Sequence, residues 1–123
     1  MCGLLGVISR RDKLEKFQSI LGILRHRGPD DEGVFLNESI FLGQRRLAII
    51  DLSPAGKQPM ILKCQKTQAK LILNFNGEIY NYKELKKELE NLGHTFFSNS
   101  DTEVILHSYE EWGVEAFPKF RGM

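Results

Sequence analysis

Cys2 is the residue with the most chemistry within reach, because it directly follows the initiator methionine. Removal of Met1 would put a thiol and a free α-amine on one residue. Such groups ordinarily titrate near about 8.5 and about 7.7–8.0, so the amine, directly or through one water, can take the thiol proton near neutral pH. A nucleophile carrying its own base suits attack on an acyl carbon, and the arrangement works only at the true end of a chain. Acyl transfer from an amide also needs an oxyanion hole and a grip on the substrate. Asn76-Gly77 can supply the first, as an amide side chain beside a backbone N–H free of Cβ crowding, although Asn-Gly is also the strongest short hairpin signal. Arg45-Arg46 offers a guanidinium that can fork onto a carboxylate. Glu78 and Asp101 can each hold an ammonium, while Asp101 is equally what the first turn of a helix favours. The string Arg25-His26-Arg27-Gly28-Pro29-Asp30-Asp31 is dense and polar, and reads also as a solvated turn. Taken singly, Cys2 reads as a small apolar core residue. The conjunction of these groups in one chain is what points to chemistry.

These side chains must be positioned by a mixture of strands and helices. Residues 4–9 form a short apolar run that predicts a buried strand, with Cys2 at the mouth of a sheet. Asp12 is placed to cap a helix in which Leu14, Phe17, Leu21 and Leu24 recur at helical spacing, ending near His26 before Gly28-Pro29. Residues 33–36 and 40–42 predict a hairpin turned at Asn37-Glu38-Ser39, and residues 47–52 another buried strand. The stretch 53–59 is loop, and residues 71–75 are a strand that runs into Asn76-Gly77. After Tyr80 the period changes. Asn81 with Glu84 makes a capping box ahead of Leu85, Leu89 and Leu92, and Gly93 stops that helix. Residues 94–97 predict a brief strand. Ser100 with Glu103 repeats the capping logic before Val104, Ile105, Tyr109 and Trp112, up to Gly113. The order lacks regular βαβ alternation and implies an α+β fold.

Composition narrows the class. With 123 residues, 41% of them hydrophobic, 27% charged and a net charge of +1, the chain is one globular domain or a piece of one. Bases and acids are interspersed without a basic run, which argues against nucleic acid. No apolar run reaches the roughly 18 residues that span a bilayer, and no basic leader precedes the apolar start, so the expected compartment is the cytoplasm and no membrane partner is expected. Cys2 and Cys64 make no disulfide framework. His26, His94 and His107 are scattered, and no Cys/His spacing suggests a metal. Cys64 reads as a structural thiol. Phe117 and Phe120 suggest an apolar surface awaiting a partner, and Arg121-Gly122-Met123 closes no element, which suggests a fragment.

Five strings, in order, carry a family resemblance: Met1-Cys2-Gly3 with Gly6-Val7; Arg25-His26-Arg27-Gly28-Pro29-Asp30; Arg46-Leu47-Ala48-Ile49-Ile50-Asp51; Asn76-Gly77-Glu78-Ile79-Tyr80-Asn81; and Ser100-Asp101-Thr102-Glu103. Together they closely resemble the class II, N-terminal nucleophile, glutamine amidotransferase domain, and within it the branch of glutamine-hydrolysing asparagine synthetases. The resemblance implies that Cys2 attacks the glutamine side-chain amide and forms a thioester, that Asn76 and Gly77 hold the oxyanion, and that Arg46 binds the α-carboxylate. It implies that Glu78 and Asp101 hold the α-ammonium, with Ile49 also among the glutamine contacts. It implies a four-layer αββα sandwich, of which residues 1–123 would be the N-terminal portion, the remainder of the domain and the synthetase domain being absent. No cofactor is implied for this chain, whereas ATP and Mg are expected in the missing synthetase domain. The implied partners are glutamine and that synthetase domain, in cis or trans, with a homodimer of the full protein also allowed. Two alternatives stand beside this reading. One is the glutaminase portion of another amidotransferase, acting on sugars, peptides or natural-product precursors; the other is a non-catalytic module that binds glutamine or a partner chain.

Overall fold

A three-stranded antiparallel sheet organises the first half of the chain. In the computed structural model, which describes residues 2–65 and 67–123, the chain divides into two compact units. One comprises Met1–Ile49, Lys57–Pro59 and Asn74–Asn76, and the other Ile50–Gly56, Met60–Leu73 and Gly77–Met123.

In the first unit β1 (Gly3–Ile8), β2 (Asp31–Leu36) and β3 (Ile40–Arg46) form an antiparallel sheet in the order β1-β3-β2. Gly3 faces Arg45 across the first ladder, and Asp31 faces Arg46 across the second. The expected hairpin forms and is longer than predicted. Its turn is closed by Asn37, whose Oδ1 accepts from the N–H groups of Ser39 and Ile40 at 2.9 and 2.7 Å. One face is covered by α1 (Arg11–Leu14), α2 (Phe17–Leu21) and a 3-10 segment, Gly22–His26. Leu14, Leu21 and Phe41 are fully buried there, and the Phe17 and Phe41 rings lie 6.2 Å apart.

Three expectations need correction in this unit. The single helix from Asp12 to His26 is three short pieces. Asp12 lies in the first turn of α1 and Arg10 takes the cap position without a side-chain bond. Gly22, a poor helix former, stands where the winding tightens to 3-10, so the apolar stripe meets the sheet in separate turns. The first strand is not buried throughout. It is an edge strand covered on one face only, and Leu4 and Ile8 on its other face are 44% and 83% exposed. Residues 47–49 are not strand, because their backbone is held by a side chain instead of a ladder: the Ala48 N–H donates to Asp30 Oδ2 at 2.9 Å.

In the second unit β4 (Met60–Lys63) and β5 (Lys70–Leu73) pair antiparallel, Met60 facing Leu73. β4 is not among the expected strands, and β5 stops at Leu73, short of the expected 71–75, because the Asn74 side chain and the Phe75 N–H bond to the Gly43 carbonyl and Gln58. Residues 50–52, the rest of the expected strand at 47–52, are likewise outside any strand, with Asp51 accepting from the N–H groups of Ser53 and Asn99 at 2.8 Å each. α3 (Tyr82–Asn91) buries Leu85 and Leu89 and leaves Leu92 exposed. It ends as expected at Gly93, whose φ of +97° is a left-handed conformation natural to glycine. Its capping box does not form. The Asn81 side chain instead holds a distant segment, donating to the Lys119 carbonyl at 3.0 Å and accepting from the Arg121 N–H at 2.9 Å.

α4 (Asp101–Trp112) is buried from Asp101 to Ser108 and forms the core of this unit, packed against α3, β4 and β5. Ser100 caps it, its Oγ accepting from the Thr102 N–H at 3.1 Å. Glu103 does not reach back to the cap. Its carboxylate accepts from the N–H groups of Phe97 and Ser98 at 2.8 and 2.7 Å and from the Ser98 hydroxyl at 2.5 Å, and residues 94–97, expected as a strand, form none because the Phe97 N–H is taken by this side chain and not by a ladder. A 3-10 segment, Gly113–Lys119, follows, in which Phe117 contacts both Tyr109 and Phe120. The tail, expected to close no element, is tied down. Met123 exchanges both backbone hydrogen bonds with Glu78 at 2.9 and 3.0 Å, and the Tyr80 N–H donates to the Arg121 carbonyl at 2.7 Å. The protein is thus a mixed α and β structure with antiparallel sheets. Among the described residues no helix is long and apolar enough to cross a membrane.

Burial pushes the Glu103 carboxyl up, but hydrogen bonds from His107, Ser98 and Phe97 outweigh it and hold it below its ordinary value of 4.5. A carboxyl depressed on folding stabilises the fold above its unfolded pKa, and that stabilisation is lost as pH falls through the folded value. Glu103→Ala should therefore lower stability at pH 7 by about 3 kcal/mol, because it strands two buried donors of Ser98 and the part-buried Phe97 N–H. Urea melts at neutral and acid pH check both statements: the variant should be weaker at neutral pH and less sensitive to acid below about 4.5.

Candidate functional site

The predicted site residues fall in both units, Cys2, Arg46, Ile49 and Asn76 in the first and Gly77, Glu78 and Asp101 in the second. Met1, whose removal the chemistry of Cys2 requires, lies outside the described residues.

In the first unit the pleat sorts side chains by face. Gly3, Leu5 and Val7 share the helix-covered face with Arg45, Gly43 and Phe41, their cross-strand partners. Gln44 and Arg46 therefore lie on the opposite face, and Cys2, one residue before the strand, continues the pleat onto that same face. The thiol is half-buried and held by the main chain at the end of β3: the Leu47 N–H donates to Sγ at 3.3 Å, and the Leu47 carbonyl lies 3.6 Å from it. The Cys2 carbonyl accepts from Arg27 Nε at 3.1 Å. The sulfur and the main chain of Cys2 are thus separately fixed.

The two adjacent arginines have different positions. Arg45 is bound within the fold, donating to Glu32 at 2.5 Å and to the Gly28 carbonyl at 3.2 Å. Arg46 is 8% exposed on the Cys2 face, and its carbonyl accepts from the Asp30 N–H at 3.0 Å. Gln44, fully buried on that face, donates to the Phe75 carbonyl at 3.1 Å, while the Phe75 N–H donates to Gln58 Oε1 at 2.7 Å. Asn74 donates to the Gly43 carbonyl at 2.9 Å. Residues 74–76 are therefore laid along β3, so Asn76 belongs to a braced segment and the hairpin alternative for Asn76-Gly77 does not apply. Ile49 is 62% exposed, beyond the end of β3.

In the second unit Gly77 and Glu78 are partly exposed. Glu78 is pinned through its backbone by Met123, and the next residue is tied to α4, the Ile79 N–H donating to Asp101 Oδ2 at 2.9 Å. Asp101 is 6% exposed, with one carboxylate oxygen so engaged. Sequence reasoning misses Leu47, which acts through its main chain and leaves no side-chain signal, and Arg27, whose role is hidden in the polar string.

The profile of the glutamine amidotransferase domain family matches residues 1–123. The chain belongs to that family. Within the amidotransferase domain, relatives include asparagine synthetase [glutamine-hydrolyzing] 1 of Bacillus subtilis, 43% identical over all of this chain and 20% of its own length. A putative asparagine synthetase [glutamine-hydrolyzing] 2 of Methanocaldococcus jannaschii is 40% identical over all of this chain and 26% of its own. Asparagine synthetase [glutamine-hydrolyzing] 1 of Arabidopsis thaliana is 43% identical over 94% of this chain and 19% of its own. The chain thus spans between a fifth and a quarter of the length of the first two of these relatives.

The amidotransferase domain needs a glycine between Arg27 and the turn to β2. A Cβ at Gly28 would lie 2.1 Å from the Arg45 carbonyl oxygen and 2.6 Å from the Arg46 nitrogen, both backbone atoms that cannot rotate away. Gly28→Ala should cost about 2 kcal/mol or more, measured as a lowered midpoint in denaturant. An unchanged midpoint would show that the end of β3 gives way freely.

Proposed function

We propose that this chain is the glutaminase part of an asparagine synthetase, releasing ammonia from glutamine through a thioester on Cys2. The observation that carries the reading is the double fixation of Cys2, its sulfur by the Leu47 main chain and its carbonyl by Arg27, on the sheet face that also presents Arg46. With Met1 removed, the α-amine takes the thiol proton and the sulfur attacks the glutamine side-chain carbonyl. The Asn76 amide and Gly77 N–H hold the resulting oxyanion. The protonated amine then gives its proton to the departing ammonia, and water hydrolyses the thioester to glutamate. Arg46 binds the α-carboxylate, Glu78 and Asp101 hold the α-ammonium, and Ile49 lies beside the bound amino acid. Family membership and the two antiparallel sheets support the four-layer αββα sandwich as the architecture of the whole domain.

The names of the relatives support aspartate amidation as the fate of the ammonia. That step, with its ATP and Mg, belongs to a synthetase domain acting with this one in cis or trans, in the cytoplasm. The intact mass of the purified chain, measured before and after a glutamine-analogue electrophile such as diazo-oxo-norleucine, tests the nucleophile. Loss of Met1 and uptake of one equivalent on Cys2 is the expected outcome, and Cys2→Ala should lose glutaminase activity by at least about a thousandfold. Retained Met1 with an unreactive Cys2 would sink the thioester mechanism.

Arg46→Lys should raise KM for glutamine by roughly 10- to 100-fold with a smaller effect on kcat, because an ammonium cannot reproduce the bidentate fork on a carboxylate. Steady-state kinetics decide it, and an unchanged KM would remove Arg46 from the glutamine site.

A further inference from the structure

The second unit holds a cluster that the amidotransferase chemistry does not use. His94, in the loop after α3, and His107, in the middle of α4, are 6% and 1% exposed. The fold brings together two histidines that are scattered in the sequence. Their Nδ1 atoms lie 3.0 Å apart. Glu110 Oε2 lies 3.6 Å from the first and 3.5 Å from the second. The Glu110 side chain is fully buried, and its other oxygen accepts from the Gln65 N–H, which aims the carboxylate at the two rings. On the far sides of the imidazoles stand two further carboxylates, Glu111 at 2.9 Å from His94 Nε2 and Glu103 at 3.5 Å from His107 Nε2. Phe96 packs on the His107 ring, with ring centroids 4.5 Å apart.

Counting protons exposes the problem this cluster poses. A carboxylate accepts only, so His94 must carry its proton on Nε2 to meet Glu111. If His107 carries its proton on Nδ1 and donates to His94, its bare Nε2 faces Glu103, acceptor against acceptor. If it carries the proton on Nε2, two bare Nδ1 lone pairs face each other and the Glu110 carboxylate. With both protons on Nε2, where Glu111 and Glu103 face the two rings, a cation is wanted among the three converging atoms. Four ligands at about 2.05 Å from a tetrahedral ion are about 3.3 Å apart, and the triangle here has edges of 3.0, 3.5 and 3.6 Å. A carboxylate behind the distal nitrogen of each histidine is the usual way to fix the tautomer of a metal ligand.

We propose that His94 Nδ1, His107 Nδ1 and Glu110 Oε2 form a site for a zinc-class transition metal ion, with water at the fourth vertex. The ligand set suits Zn²⁺, Co²⁺ or Ni²⁺ over Mg²⁺ or Ca²⁺, which favour oxygen ligands. Glu111 and Glu103 are positioning residues that hold the imidazoles. The ion ties the 94–100 loop to α4 beside the contacts that Glu103, Glu111 and Phe96 already make between them, and it takes no part in the Cys2 chemistry.

The test is a zinc titration of the untagged, chelator-stripped chain, in competition with a chromophoric zinc indicator. One equivalent should bind, and should still bind in the Cys2→Ser Cys64→Ser double variant. His107→Gln and Glu110→Gln should weaken it by at least about 100-fold, and Glu111→Gln by about 10- to 100-fold. If a ligand variant fails to fold, Co²⁺ added to the unaltered chain decides. Intense visible absorption without a thiolate charge-transfer band supports the site. A weak octahedral spectrum, or a thiolate band, overturns it. So does the binding of no zinc, an equivalent that survives both His107→Gln and Glu110→Gln, or one that disappears with the cysteines; in those cases the cation among the three atoms is a proton.

Discussion

The register between β1 and β3 is the constraint on which the first unit of this protein depends. Gly3 opposite Arg45 places Cys2 at the level of Arg46 and within reach of the Leu47 main chain. A slip of one residue would turn Cys2 to the other face of the sheet. What prevents the slip is the shape of the covered face. A Cβ at Gly3 would lie 2.8 Å from the Leu24 Cβ, and one at Gly43 would lie 3.0 Å from Leu21 and 2.9 Å from the Phe41 ring. Only glycine fits at these two points, so moving either strand by one position puts a side chain where the helical segments already are. The Arg45–Glu32 pair, directly across the β2–β3 ladder, fixes the third strand in the same register.

A second device recurs across both units. Where the chain must run extended without a neighbouring strand, a carboxylate takes the backbone N–H groups. Asp30 serves Ala48, Asp51 serves Ser53 and Asn99, Asp101 serves Ile79, and Glu103 serves Phe97 and Ser98. A buried N–H left without a partner costs about 1–3 kcal/mol, and these acids remove that cost while leaving the segment free to curve. Residues 47–52 and 94–97 hold enough apolar side chains to predict strands, and neither forms one. Apolar content is legible there, whereas the acceptor of an N–H is not, because for Ala48 it lies 18 residues away in the chain.

Local pattern is a sound guide where the deciding neighbours are close in the chain. The hairpin at Asn37 and the helices after Asn81 and Ser100 depend on neighbours within a few residues, and all three form, whereas the strand expected at 71–75 forms only as Lys70–Leu73, paired with β4. The motif strings carry the family. What escapes depends on distance: Asn81 gives up its cap to hold Lys119 and Arg121, and Cys2 is placed by a main-chain group at Leu47. The histidine cluster is an intermediate case. His94 and His107 are too far apart for a metal-ligand spacing, yet Glu103, His107 and Glu110 fall at i−4, i and i+3 on one helix face. All of the cluster but His94 is therefore written along one helix, and only the fold adds His94.

In the role proposed for Glu78, the pairing of residues 121–123 with Glu78–Tyr80 bears on how the ammonium would be held. Glu78 is partly exposed, and an exposed carboxylate on a free loop would lose much of its attraction for an ammonium to chain ordering and to water. Here both backbone groups of Glu78 are occupied by Met123, the following N–H is held by Asp101, and a Cβ at Gly122 would lie 2.0 Å from the Glu78 carbonyl oxygen, so only glycine admits this approach. Only the side chain of Glu78 remains to be ordered. A carboxylate on a backbone fixed from two sides, one of them the N-terminus of the most buried helix in its unit, can bind a charged amine without first folding the segment that presents it.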